Sequence, residues 1–177
     1  MNFKDLSKEP PRSPHYRIHD YVILARTLDK CRASINKTLG DYHFNCPLDK
    51  ILFEFKGIDP EDFLKLVESG AGDEEIGGWL DKNGTVHTAG DISDWSKKLE
   101  AYLPYQNPDK KSWFIEQCKP LDLNPAETTL FGYLEADDLA SFPNAIQVSP
   151  DSKNWDLPMV ETAPTNRRPS SLKGETH

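Results

Sequence analysis

Residues 20–49, DYVILARTLDKCRASINKTLGDYHFNCPLD, decide how this chain folds. Tyr21, Leu24, Leu28, Cys31 and Ile35 recur at alternating spacings of three and four, which lays an apolar stripe along one helix. The spacing predicts that helix over about Asp20 to Leu39. Its first turn and a half, Tyr21-Val22-Ile23-Leu24-Ala25, is apolar on every side, so the helix is expected to run through the centre of the fold. Gly40 stands where the left-handed residue after a helix end belongs. A loop bearing Tyr42, His43 and Phe44 follows, and Cys46-Pro47 opens a second helix.

The same opening device, a small or polar residue followed by proline, recurs at Ser13-Pro14, Asp59-Pro60, Asn107-Pro108 and Asn124-Pro125. Proline's fixed φ suits the first helical position, where its missing N–H leaves no bond unmade. The residue before it is pushed out of the helical region, as an N-cap must be. Leu48, Ile51, Leu52 and Phe55 form the stripe of the second helix, ended by Gly57, and Phe63, Leu64, Leu66 and Val67 that of a third, ended near Gly70. Asp73 is read as the cap of a fourth, with Ile76, Trp79 and Leu80 inward and Gly84 past its end. Thr88 and Asp91 form a capping box for a fifth through Ile92, Trp95, Leu99 and Tyr102. Trp113, Phe114 and Cys118, then Leu130, Phe131 and Leu134, mark later helices, while Thr85-Val86-His87 is too short for a strand. The expectation is an all-α, compact single domain of six or seven short helices around a central first helix. Residues 1–13 are read as a flexible arm, 14–143 as the helical domain and 144–177 as a disordered polar tail.

At 177 residues with a formal net charge of −8 and a pI near 5.1, the chain lacks the basic surface that a phosphate backbone requires, so nucleic acid is not expected as a partner. No apolar run approaches the roughly 20 residues of a membrane span. The first fourteen residues are polar and hold no secretory apolar core. Cys31, Cys46 and Cys118 form neither a disulfide framework nor a zinc spacing, which points to a reducing cytoplasm.

Three constellations could carry chemistry. Arg32 falls about 60° from the centre of the first helix's stripe at about 100° per residue, and Asp29 about 120° away on the same side. Arg32 therefore borders buried surface, and Asp29 can reach it from three residues back. The pair reads either as a structural ion pair or as a pocket whose arginine clamps a carboxylate or phosphate. Cys46, as an N-cap, lies where a helix dipole can activate a thiol, and His43 could serve it as base; Asp49 in the first turn opposes a thiolate there. His15 and His19 have the i, i+4 spacing of two metal ligands, without a third at diagnostic spacing, so no metal or cofactor is expected. Tyr42 and Phe44 are read as packing across helix ends, and Trp79, Trp95 and Trp113 as core anchors. The tail sequence Arg167-Arg168-Pro169-Ser170-Ser171 is treated as composition only.

Several stretches together resemble a bacterial family known as domain of unknown function 5069. They are Pro11-Arg12-Ser13-Pro14, Leu24 to Ala33 (LARTLDKCRA), Leu39-Gly40-Asp41-Tyr42-His43, Cys46-Pro47-Leu48-Asp49, Gly57-Ile58-Asp59-Pro60, and Asp73-Glu74-Glu75-Ile76 with Trp79. The resemblance covers roughly residues 5 to 143. It implies a small, soluble, helical bacterial protein and no activity, and His15 and His19 fall outside its pattern. The leading functional expectation is a non-catalytic binding module for a small anion or a protein partner, with Asp29, Arg32, Tyr42, His43 and Cys46 lining the site. The alternative is a small enzyme using Cys46 or His43 as nucleophile or base.

Overall fold

Every residue from Tyr21 to Cys31 is buried, and the other helices gather around this axis. The computed structural model describes residues 3–145. Its helices are α1 (Leu24–Ile35), α2 (Pro47–Lys56), α3 (Pro60–Glu68), α4 (Asp73–Lys82), α5 (Ala89–Glu100), α6 (Pro108–Cys118) and α7 (Leu130–Ser141), with single 3-10 turns at Pro104–Gln106 and Lys119–Leu121. Among the described residues there is no strand beyond one isolated bridge between Ile18 and Tyr21. The all-α expectation holds, with six further helices beside a buried first one among the described residues. Past its first two residues the expected polar tail, including Arg167 to Ser171, lies outside the described residues.

Helix α1 starts four residues later than its apolar pattern predicts. His19, Asp20 and Ile23 adopt positive φ, at 48°, 67° and 59°, so residues 18–23 form a turn instead of a helical first turn. Tertiary hydrogen bonds occupy that turn. The Ile23 N–H donates to the Pro14 carbonyl, the Val22 N–H to the Ser96 hydroxyl, and the Ser96 hydroxyl to the Asp20 carbonyl. At the other end Asn36 is the cap and Lys37, at φ 58°, takes the left-handed position expected of Gly40. The Lys37 and Thr38 N–H groups donate to Ser34 and Ala33, which completes a Schellman motif without glycine.

The caps explain most other boundaries. Cys46 and Asp49 form a reciprocal box on α2, Asp59 and Asn107 accept from the backbone of α3 and α6, and Thr88 with Asp91 closes the box on α5. Two of the five proline starts open only a turn. Ser13-Pro14 is followed by a single turn, and after Asn124-Pro125 the helix begins at Leu130 with Thr129 as its cap. Gly72, not Asp73, caps α4, which leaves the Asp73 carboxylate free for other partners.

The main core packs Leu24, Leu28 and Cys31 of α1 against Leu52, Phe53, Phe63, Ile76, Leu80, Phe114 and Phe131. Each fully buried side chain of this size contributes about 1.5–3 kcal/mol. Phe53 and Phe63 meet at 5.3 Å, and Phe44 from the loop stacks over Phe63, so it packs across the ends of α2 and α3 as expected. Trp79, Trp95 and Trp113 border this core, and Phe55 stacks on Trp95 at 4.4 Å. A smaller cluster joins Leu6, Ala33, Tyr42 and Phe142. Leu6 is fully buried in it and Pro10 to Arg12 are buried as well, so residues from the stretch read as an arm pack against α1.

Candidate functional site

Arg12, Arg26, Lys30 and Arg32 lie on α1 and its N-terminal approach, and the structure supplies each with a carboxylate. Asp29 does not pair with Arg32, which corrects the local reading. Asp29 accepts from three donors of Arg12: its backbone N–H at 2.8 Å, Nε at 3.0 Å and Nη2 at 2.9 Å. Arg12 also reaches Asp73, and Arg32 donates to the other oxygen of Asp73 at 2.9 Å and to the Ala71 carbonyl at 3.1 Å. Asp29, Arg12, Asp73 and Arg32 thus form an alternating chain of charge. Burial raises the Asp73 carboxyl, but hydrogen bonds and charges from Arg12 and Arg32 outweigh it and hold the group below its usual value. The reason for the correction is reach. The segment before α1 brings Arg12 across the helix, where its backbone N–H and guanidinium together occupy both oxygens of Asp29, while Arg32 is turned to Asp73 and the Ala71 carbonyl.

On the opposite flank Arg26 makes a bidentate pair with Asp138 at 2.6 and 3.1 Å, with both side chains nearly sealed from water. Tyr42 donates its hydroxyl to Asp138 at 2.6 Å and stacks on Phe142. Burial first, then the Asp138 charge, pushes the Tyr42 phenol far above its ordinary value, so it stays a donor. Arg26 and Asp138 carried no signal in the sequence, because 112 positions separate them.

The structure does not pair Cys46 with His43. His43 is exposed and makes no hydrogen bond to Cys46. The neighbour of the Cys46 sulfur is Lys30, whose Nζ lies 3.1 Å away and 2.7 Å from Asp49. Asp49 is fully buried, accepts the Thr27 hydroxyl at 2.7 Å and closes the cap on the Cys46 N–H. Cys31 and Cys118 are buried and free, and burial pushes the Cys31 thiol up to about 12.

His15 and His19 face different partners. His19 sits between Asp81 at 2.8 Å and Glu74 at 3.0 Å; Asp81 above all holds its imidazole above the usual value. Its ring lies so close to α4 that a Cβ at Gly77 would stand 2.5 Å from it. His15 uses Nδ1 to meet Glu135 at 3.0 Å, and Ser13 donates to the same oxygen. The Glu135 hydrogen bond raises the His15 pKa despite partial burial, and His15 lowers that of Glu135. Among the described residues no cluster of three or more metal-ligating side chains is present.

His15, Tyr16, Arg17 and Glu100 line an open depression of about 430 Å³. The ring of His15 is braced edge-on by Phe131, and Arg17 spans from Asp20 to both oxygens of Glu100. This size is within the range of small-molecule sites. The sequence held one cue to it, His15 close to a charged neighbour, but Glu100 and Glu135 arrive only through the packing of α5 and α7. None of Asp29, Arg32, Tyr42, His43 or Cys46 lines this depression.

Residues 8–139 match the family described as Domain of unknown function (DUF5069). No curated protein matches the chain. Among the described residues no helix is long and apolar enough to cross a membrane.

Proposed function

The chain belongs to the DUF5069 family, and from that premise we propose that it is a non-catalytic binding module taking a small anionic ligand in the depression lined by His15, Tyr16, Arg17 and Glu100. The observation that supports this reading is the state of His15. Its Nδ1 is committed to Glu135, a partner that favours the imidazolium, while Nε2 makes no hydrogen bond among the described residues. A protonated Nε2 is a charged donor suited to a carboxylate or phosphate oxygen. Arg17 adds a second cation, held by Glu100 at the rim. An incoming anion competes with Glu100 for that guanidinium, so Glu100 sets the affinity. Arg32 supports the same chemistry less well, because its donors are engaged by Asp73 and Ala71. We place the module in a reducing bacterial cytoplasm without nucleic-acid or membrane partners, in keeping with its net charge of −8 and three free cysteines.

A thermal-shift series with inorganic phosphate and mono-, di- and tricarboxylates tests this. A ligand at a hundredfold its Kd adds about 2.7 kcal/mol to the native state. The expected result is a raised midpoint below neutral pH that is lost in His15→Gln and enlarged in Glu100→Gln. A midpoint that rises equally in His15→Gln, or that none of these anions moves, overturns the proposal.

A further inference from the structure

We infer that Lys30 and Cys46 are a site of oxidative modification, at which peroxide joins the two side chains in a sulfenyl amide between α1 and the first turn of α2. The site is separate from the depression at His15 and does not depend on it. The geometry behind it is the 3.1 Å approach of Lys30 Nζ to Cys46 Sγ. The amine does not reach the sulfur by chance rotation. The Lys30 side chain is 4% exposed and is pinned at 2.7 Å by Asp49, which is itself fully buried and fixed by Thr27. The cysteine is held from the other side, because its backbone N–H donates to the Asp49 carboxylate at the start of α2. Two groups held this close react as though at very high concentration.

Access singles out Cys46 among the thiols. It is partly exposed, whereas Cys31 and Cys118 are sealed in the core. Hydrogen peroxide oxidises the sulfur by two electrons. One peroxide oxygen becomes bonded to sulfur as sulfenic acid, and the other leaves as water with the thiol proton. Lys30 first gives one ammonium proton by way of Asp49 to solvent, and the neutral amine attacks the sulfur with its freed lone pair. The S–O bond breaks, and the hydroxyl leaves as water with a second proton from the nitrogen. An N–S bond has replaced an S–H and an N–H, and the chain is lighter by two hydrogens. The new nitrogen is neutral, so Asp49 loses its cation and keeps only the Thr27 hydroxyl and the Cys46 N–H. Oxidation thereby exchanges the ion pair at Asp49 for a covalent bond between the first two helices.

The test treats the full chain with hydrogen peroxide and reads it, without reductant, by intact and peptide mass spectrometry. The expected product lacks two hydrogens, joins the Lys30 and Cys46 peptides and reverts with dithiothreitol. Lys30→Arg keeps a cation beside Asp49 without a primary amine, so its Cys46 should stop at sulfenic acid and be trapped by dimedone. Circular dichroism establishes that this variant is folded; if it is not, the joined peptides of the unmutated chain decide alone. Accumulation of sulfenic or sulfinic acid with Lys30 unlinked overturns the inference, as does a link that retains oxygen or uses another lysine.

Discussion

Replacing Arg26 by Met tests how the buried charges act. Methionine keeps much of the volume of the arginine stem, so packing changes little. What is removed is a bidentate cation from Asp138, whose side chain is 2% exposed. Breaking one side of a buried pair costs about 3–5 kcal/mol, because the remaining charge has lost its partner but not its desolvation. Against a total stability of about 5–15 kcal/mol for a domain, that is a large share. At about 3 °C per kcal/mol for a chain of this size, Tm should fall by about 10–15 °C. Urea unfolding measures the loss directly, and the m-value should not change. Adding Asp138→Asn should recover a substantial part, since the amide is neutral and can still accept the Tyr42 hydroxyl. A loss within about 0.5 kcal/mol, the range of ordinary surface substitutions, would show that water reaches Asp138 and that the pair is not sealed. Failure of Asp138→Asn to recover anything would place the cost in packing instead.

Three further outcomes follow from the geometry. In double-mutant cycles read by urea unfolding, Arg32 should couple to Asp73 by about 0.5–3 kcal/mol and less to Asp29, reversing the order that helix spacing suggests. Gly84→Ala should destabilise by more than Gly70→Ala, although both have positive φ. A Cβ at Gly84 would stand 2.0 Å from the Lys56 carbonyl oxygen, and one at Gly70 meets nothing within 4 Å; equal melting points would remove that argument. For His15 the pKa is raised in the folded state, so its contribution is complete below the ordinary imidazole value and fades as pH rises through the raised one. Glu135 is lowered, so its share is present above the ordinary carboxyl value and fades as pH falls through the lowered one. The stability gap between the unmutated chain and His15→Gln should therefore be widest in mildly acidic solution and close toward alkaline pH, as read by denaturation across pH.

Helix content was legible because caps and periodicity are local. Asp59, Thr88 and Asn107 act on backbone two or three residues away, and the structure finds each in place. The start of α1 was not legible, since apolar residues 21–23 satisfy a helical pattern and a buried turn equally well. Only the bonds from Ser96 and Pro14 decide between them. Partner choice was illegible for the same reason. Arg32 and Asp29 are neighbours on a helix, but Arg12 and Asp73 come from elsewhere in the chain and displace that pairing. Lys30 went unread as the neighbour of Cys46 because sixteen residues and a loop separate them.

The alternating chain Asp29–Arg12–Asp73–Arg32 also bears on the order of events in folding. Its links span 17, 61 and 41 positions, and the whole chain of charge closes only when the N-terminal segment, α1 and α4 have come together. Loop closure must precede contacts of this range, whereas the caps of α2, α3 and α5 can form while the rest of the chain is open. We expect the network to close after the transition state. Weakening it should leave the refolding limb of a chevron in place and steepen the loss of the native state, so that these charges act as a latch on unfolding rather than as a nucleus.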